Sequence, residues 1–248
     1  MTKTILITGA SSGLGAEMAR QLADLGYDLA LCARRLDRLE ELREEIRAKH
    51  PGRRVEVRTL DVTDHEQVFD VFHAFHADLG HLDRVVVNAG LGKGAPVGTG
   101  KFYANKQTAE TNFVGALAQT EAAVEVFRKQ DAGHLVMVSS VSALRGMPRN
   151  ITAYAATKAG VANLAEGVRA ELFGTPIKVT VLYPGYIESE MSARSGSTPL
   201  MASTEDGVRS MVRAIEKEKA SARVPSWPWE PLGFALKHLP LPIARRLM

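Results

Sequence analysis

The sequence predicts an α/β fold: a doubly wound parallel sheet of about seven strands, covered by helices on both faces to give a three-layer αβα arrangement. Three observations carry this expectation. Short runs rich in β-branched residues alternate with longer segments of helical periodicity, the order expected of βαβ units. The strand-like runs are almost continuously apolar, as in Val85-Val86-Val87, which suits strands buried on both faces. The residues able to do chemistry stand just after a strand or in the helix that follows, and sheets of this kind bind ligands beyond the carboxyl ends of their strands.

The elements follow in order. Residues 4–7 read as the first strand, and 14–25 as a helix ended by Gly26. Residues 29–32 are strand. Residues 36–49 form a charged amphipathic helix, with Asp37 as its N-cap and Pro51-Gly52 as its stop. Strand is expected over 55–57 and helix over 64–79. Residues 84–87 are strand, followed by a long Gly-rich loop from 90 to 100. Helix over 108–128, strand over 134–138, helix over 153–172 and strand over 178–182 complete the alternation.

Composition bounds the function. A chain of 248 residues, 45% hydrophobic and 24% charged, fits one large domain spanning 1–248 better than two small ones. The net charge is +3 and the basic residues are spread along the chain, so no nucleic-acid stripe is present. Cys32 is the single cysteine, which rules out an internal disulfide and suits a reducing, cytoplasmic compartment. The N-terminal stretch turns polar and Gly-rich too soon for a signal peptide, and no apolar run is long enough to span a bilayer.

The first strand leads into Thr8-Gly9-Ala10-Ser11-Ser12-Gly13-Leu14-Gly15 and then a helix. Glycines let backbone approach a ligand closely, and a helix N-terminus offers free amides to a diphosphate. The second strand ends in Ala33-Arg34-Arg35. A carboxylate at that place would bind the ribose hydroxyl of NAD; two guanidiniums suit a 2′-phosphate instead. The expected cofactor is therefore NADP(H) rather than NAD(H). In the helix over 153–172, Tyr154 and Lys158 are four residues apart and share a face. A nearby ammonium is expected to lower the tyrosine pKa from its ordinary value of about 10.

With these residues in view, the chain resembles the short-chain dehydrogenase/reductase family, in its compact single-domain Rossmann-like branch, over residues 3–191. Gly9, Gly13 and Gly15, with Ser11, Ser12 and Leu14 between them, look like its cofactor loop. Asp61-Val62 resembles the family's adenine contact, and Asn88-Ala89-Gly90 its N-A-G motif beside the cofactor. Asn112 sits at the family's helix asparagine, and Tyr154 and Lys158 at its active-site pair. Pro184-Gly185-Tyr186-Ile187-Glu188-Ser189 is similar to its P-G-x-I-x-T turn, with Ser189 for Thr. Three departures stand out. The catalytic serine usually lies thirteen residues before the tyrosine. Here Ser140 lies fourteen before it and Ser142 twelve. Ser140 fits better because it follows the strand and precedes Val141, which leaves Ser139 and Ser142 structural roles. Val87 replaces a frequent Asn, and the sequence after Thr204 does not follow the family's common ending.

The resemblance implies a mechanism. Tyr154 exchanges a proton with the substrate oxygen, and Lys158 lowers the Tyr154 pKa and binds the nicotinamide ribose. Ser140 polarises the carbonyl, and Asn112 helps hold a water that links Lys158 to solvent. Hydride addition to a ketone builds an alkoxide, which needs a donor and a proton on chemical grounds alone. The cofactor contacts implied are residues 9, 11–15, Arg34, Arg35, Asp61, Val62, 88–90, Tyr154, Lys158, Pro184, Gly185, Ile187 and Ser189. His73, His76 and His81 lack the companions of a metal set, so no metal is expected. Residues 186–205, with Met191, Leu200 and Met201, correspond to the family's substrate lid and suggest an apolar substrate face.

The tail over 225–248 is atypical: Trp227, Trp229 and a Leu-rich run accompany Lys237, Arg245 and Arg246. It either packs on its own subunit or a partner, the preferred reading, or lies on a membrane surface or a lipid-like substrate. By resemblance, the helices holding Asn112 and Tyr154 form a homodimer or homotetramer interface. The reading reached is an NADP(H)-dependent oxidoreductase interconverting a hydrophobic ketone and a secondary alcohol. The alternatives are a 3-oxoacyl reductase acting on an acyl carrier, and a catalytically silent nucleotide-binding scaffold.

Overall fold

A computed structural model describes residues 3–190 and 200–245. Its strands are β1 (Thr4–Thr8), β2 (Asp28–Ala33), β3 (Val55–Thr59), β4 (Arg84–Val87), β5 (Gly133–Val138), β6 (Ile177–Pro184) and β7 (Ser221–Val224). They form one sheet in the order β3-β2-β1-β4-β5-β6-β7, with every pairing parallel. The order reverses between β1 and β4, and that switch point opens a crevice at the carboxyl ends of the strands. The helices are α1 (Gly13–Asp24), α2 (Leu36–Lys49), α3 (His65–Leu79), α4 (Phe102–Ala109), α5 (Gly115–Gln130), α6 (Thr152–Glu171), α7 (Thr204–Glu216), α8 (Ser226–His238) and α9 (Leu241–Ala244).

The two-residue period of a strand sorts the core into two layers. Ile5 and Ile7 of β1 pack with Met18, Leu39 and Met211 from α1, α2 and α7 on one face. Leu6, between them, packs with Phe72, Phe127 and Ala165 from α3, α5 and α6 on the other. All five residues of β1 are buried, which explains why its sequence is apolar without alternation. Local signals set several ends. The Asp64 carboxylate caps α3 by accepting from the Gln67 amide at 3.1 Å. Gly80 ends the same helix in the left-handed region, at φ 77°.

Two expectations are corrected, and the expected seventh strand is located. The helix read over 108–128 is α4, then a π-helical turn over Glu110–Val114, then α5. Phe102 and Tyr103 of α4 are exposed, so no apolar stripe announced that helix. Asp37 is not an N-cap: Arg35 holds that position, and Asp37 lies in the first turn of α2, where a carboxylate suits the helix dipole. The last strand, β7, is the short edge segment Ser221–Val224 beside β6, which carried no strand pattern.

The tail folds onto its own chain. Trp229, Gly233 and Leu236 of α8 turn inward. A Cβ on Gly233 would come within 2.7 Å of both Leu144 and the Arg223 side chain, so the helix rests closely on β7 and on the 3-10 turn Val141–Leu144. Arg145 Nη1 lies 3.3 Å from the Leu236 carbonyl and 2.6 Å from that of Leu239, satisfying the free carbonyls at the end of α8.

Candidate active site

The crevice is built from the loop after β1 and the segment after β4. Gly9 and Gly13 have φ of 64° and 53°, which a side chain resists. A Cβ on Gly15 would lie 2.3 Å from the Gly9 carbonyl oxygen, so α1 can approach the loop only with glycine there. Thr8 ties the two segments together. Its hydroxyl accepts the amides of Asn88 and Ala89, each at 3.0 Å, while Asn88 Nδ2 donates back to the Thr8 carbonyl at 2.9 Å. Ser12 stands at the N-cap of α1 without a side-chain cap bond. Its hydroxyl instead accepts from Arg35 Nη2 at 2.6 Å, and Arg35 Nε donates to Ser11 at 3.3 Å. Arg35 also pairs with Glu190 at 3.2 Å, bridging the end of β2 to the chain beyond β6.

Arg34 is exposed at the same edge, and its charge acts on Asp61. Burial pushes the Asp61 carboxyl up, but bonds from the Thr63 amide (3.0 Å) and hydroxyl (2.8 Å) outweigh it and hold the group below its usual range. Val62 is buried, and its carbonyl would meet a Cβ on Gly115 at 2.8 Å, which seats the start of α5.

Ser140, Tyr154, Lys158 and Asn112 are drawn to one end of this crevice. Ser140 precedes the 3-10 turn Val141–Leu144, its hydroxyl accepting the Ser142 amide at 3.2 Å. The Ser140 hydroxyl faces that of Tyr154 closely enough to act on its pKa. Burial pushes the Tyr154 hydroxyl up, although the ring is only partly covered, and the Ser140 hydroxyl pulls it down by less. Lys158 is buried, and desolvation lowers its pKa to about 8. Its Nζ donates to the Val138 carbonyl at 2.8 Å and stands 5.9 Å from the Tyr154 ring centre. The expected depression of Tyr154 by Lys158 is thus not the dominant effect: the ammonium faces a backbone carbonyl, and the pull on Tyr154 comes from Ser140.

Asn112 lies in the π-helical turn and is buried. It grips the loop after β4, accepting from the Leu91 amide at 2.6 Å and donating to the Leu91 carbonyl at 2.9 Å. Gly90 sits between the two groups: a Cβ there would lie 3.5 Å from both Asn112 Oδ1 and Lys158 Nζ. Ser139 donates to the Lys158 carbonyl at 2.7 Å and so fixes α6 to β5. The Ser142 hydroxyl is buried without a hydrogen-bond partner among the described residues.

Other candidates sit further out. Pro184 is in the last pair of the β6–β7 ladder, and Gly185 is covered by Trp229, whose indole nitrogen would lie 1.9 Å from a Cβ there. The Ile187 side chain points into the core against Gly207, leaving only its backbone for a ligand. Ser189 comes back to the phosphate loop, 3.4 Å from a Cβ placed on Gly13. Leu14 is partly buried against the core. Met191 and the middle of the expected lid lie outside the described residues. Residues to which the sequence reading gave no site role also shape the site. Trp229 stands edge-on to Tyr186, ring centres 5.1 Å apart. Thr8, Glu190 and Arg145 make contacts distant in sequence, which no local pattern announces.

Comparison with known proteins gives the class and then the family. Relatives and structural neighbours alike are oxidoreductases, and this chain is an enzyme of that class. It belongs to the short-chain dehydrogenase/reductase family: the family model "short chain dehydrogenase" matches residues 3–200. An uncharacterized oxidoreductase of Mycobacterium tuberculosis is 54% identical over 98% of this chain and 96% of its own length. One from Myxococcus xanthus is 37% identical, over 99% of this chain and 97% of its own. Among solved structures, an alcohol dehydrogenase from the archaeon Thermococcus sibiricus, complexed with 5-hydroxy-NADP, superposes with a TM-score of 0.82 at 26% identity, covering 92% of this chain and 97% of that one.

Proposed function

We propose that the enzyme interconverts a hydrophobic ketone and a secondary alcohol using NADP(H), with Tyr154 as general acid and base. The observation that carries this reading is that the Ser140 hydroxyl is near enough to pull the Tyr154 pKa down, with Lys158 Nζ 5.9 Å from the tyrosine ring. A substrate oxygen seated against these two hydroxyls would receive a hydrogen bond from Ser140 and a proton from Tyr154 as alkoxide forms; alcohol oxidation runs the same transfers backwards. Lys158, with a pKa near 8, is largely cationic at neutral pH and favours the phenolate left behind. Asn112 keeps the loop carrying Gly90 against this group.

The residues present suit a dinucleotide. Gly9 and Gly15 let the loop after β1 fold tightly against Ala89 and itself, the amides opening α1 have no side-chain cap, and the end of β2 offers Arg34 and Arg35 where a carboxylate would select NAD. When bound, the cofactor supplies the hydride. Asp61, Val62 and Asn88 to Gly90 border the remaining length of the crevice. Tyr186 against Trp229 supports an apolar substrate side, and exposed Val114, ending the π-helical turn, and Leu117 of α5 support self-association through the α5–α6 face.

A fluorescence titration with NADPH and NADH tests the reading, repeated on Arg34→Ala/Arg35→Ala. Tight NADPH binding that the double substitution weakens by at least about tenfold, with NADH little changed, is expected from the loss of charge-assisted phosphate contacts. Tighter NADH binding overturns the cofactor assignment. Binding of neither makes a silent scaffold the better account.

A further inference from the structure

We propose that the outer face of α8 and α9 is a docking surface for a lipid bilayer of net negative charge. A helix packed on a globular protein needs one apolar face; α8 has two. Its inner face is used up by Trp229, Gly233 and Leu236. On the same short segment a second set of apolar residues faces solvent: Trp227 at the non-helical kink that opens α8, Pro231 and Phe234 on the helix itself, and Leu241 and Ile243 on α9. Trp227 is 79% exposed, Phe234 66%, Leu241 60% and Ile243 49%. Pro231 is exposed between them, and the His238 ring lies against Phe234 with centres 4.4 Å apart. Two aromatic and two large aliphatic side chains thus stand exposed on one short segment, and packing does not account for them.

Charge identifies the occupant. Residues 226–245 contain one acid, Glu230, and Arg223 pairs with it. The charges left beside the exposed apolar residues are Lys237 and Arg245, both exposed. A second copy of this chain seated on the same face would bring these cations toward their symmetry mates. A surface bearing lipid phosphates neutralises them, and each basic group near such a surface adds about fivefold to affinity. An apolar face with Trp and Phe, rimmed by Lys and Arg, is the composition of a helix lying in the plane of the interface.

The placement has a consequence for the site, one that rests on the proposed activity. Through Trp229 the inner face of α8 covers Gly185 and touches Tyr186, and through Gly233 it rests on Leu144, four residues after Ser140. A bilayer against the outer face therefore lies along the rim of the crevice, where an apolar carbonyl compound would pass between membrane and enzyme.

The test is co-sedimentation of the full chain, without cofactor, with vesicles of phosphatidylcholine alone and of phosphatidylcholine mixed with phosphatidylglycerol. Binding to the acidic vesicles at least about tenfold tighter than to neutral ones, weakened by salt, is expected from two basic contacts. Trp227→Ser/Phe234→Ser should lose at least about tenfold in binding from the lost apolar area. Lys237→Glu/Arg245→Glu should abolish the preference for acidic vesicles. All four side chains are exposed, so both variants should melt and bind NADPH like the parent. Absence of vesicle binding, equal binding to both compositions, or unchanged binding by either variant overturns the proposal. So does a fall in sedimentation mass of the Trp227→Ser/Phe234→Ser protein without lipid binding, which assigns the face to a second copy. Nucleotide binding measured without vesicles reports separately on the proposed activity.

Discussion

The two serines near Tyr154 differ in their surroundings, and the difference sets what each substitution does. The Ser140 hydroxyl acts on Tyr154, whereas the Ser142 hydroxyl is buried without a partner among the described residues. Removing a donor aimed at a developing oxyanion costs about 10²–10³ in kcat, and Ser140→Ala should fall in that range. Ser142→Ala removes an unsatisfied buried group and should leave kcat within about twofold, with stability equal or slightly raised. Steady-state kinetics on both variants decide the assignment, and the reverse order would move the role to Ser142. Tyr154→Phe should lower turnover by at least about 10²-fold, the usual worth of a positioned acid or base, while NADPH affinity stays near that of the parent. Lys158 adds a pH signature. Burial depresses it from its ordinary 10.5 to about 8, so it is cationic below that pH and neutral above it. The profile of kcat/KM, which reports the free enzyme, should decline as pH rises through about 8. The stability sign is opposite: the buried charge is a cost below pH 8, and between about 8 and 10.5 the unfolded chain holds more protons, so stability gains from this group as pH rises. A kcat/KM profile flat to pH 10 would place the controlling proton on another group.

At the scale of elements, legibility followed locality. β1, α1 and the loop between them announce themselves because glycine spacing, a strand and a helix start are contiguous in the chain. The pair on α6 is legible because four residues of helix stack Tyr154 over Lys158. What escaped is non-local or amphipathically silent. α4 exposes its aromatic residues, β7 is four residues at a sheet edge, and the π-helical turn that aims Asn112 has no residue pattern of its own. The contact of Arg145 with carbonyls of residues 236, 237 and 239 spans more than ninety positions. That contact makes its own prediction. Arg145→Ala leaves the end of α8 without its protein partner, at a cost of about 1 kcal/mol, as for a hydrogen bond shared with solvent. The melting temperature should then fall by about 2–4 °C. Because Arg145 directly follows the turn that Ser140 opens, KM for an apolar substrate should rise severalfold while NADPH affinity is retained. Unchanged melting and unchanged KM would show that α8 is held by its apolar face alone.

At the scale of the whole molecule, the nucleotide crevice and the core are one structure, and Cys32 reports on their coupling. Cys32 is fully buried in β2, between β1 and β3. Its carbonyl accepts the Ala10 amide of the phosphate loop at 3.2 Å. Burial also pushes the thiol pKa up, so the native protein presents neither access nor thiolate to a reagent. Modification must then wait for an opening that frees β2, and such an opening takes the phosphate loop with it. A ligand that binds only the closed form suppresses that opening by the factor 1 + [L]/Kd, about 100-fold at a hundred times Kd. NADPH at that excess should slow modification of Cys32 by a disulfide reagent by about two orders of magnitude. NADH at the same concentration should slow it far less if Arg34 and Arg35 hold a phosphate. Protection that tracks each nucleotide's measured affinity means that the sheet interior and the crevice open together. A rate indifferent to nucleotide means that β2 loosens while the loop beside it stays formed, and the coupling inferred from the Ala10–Cys32 bond fails.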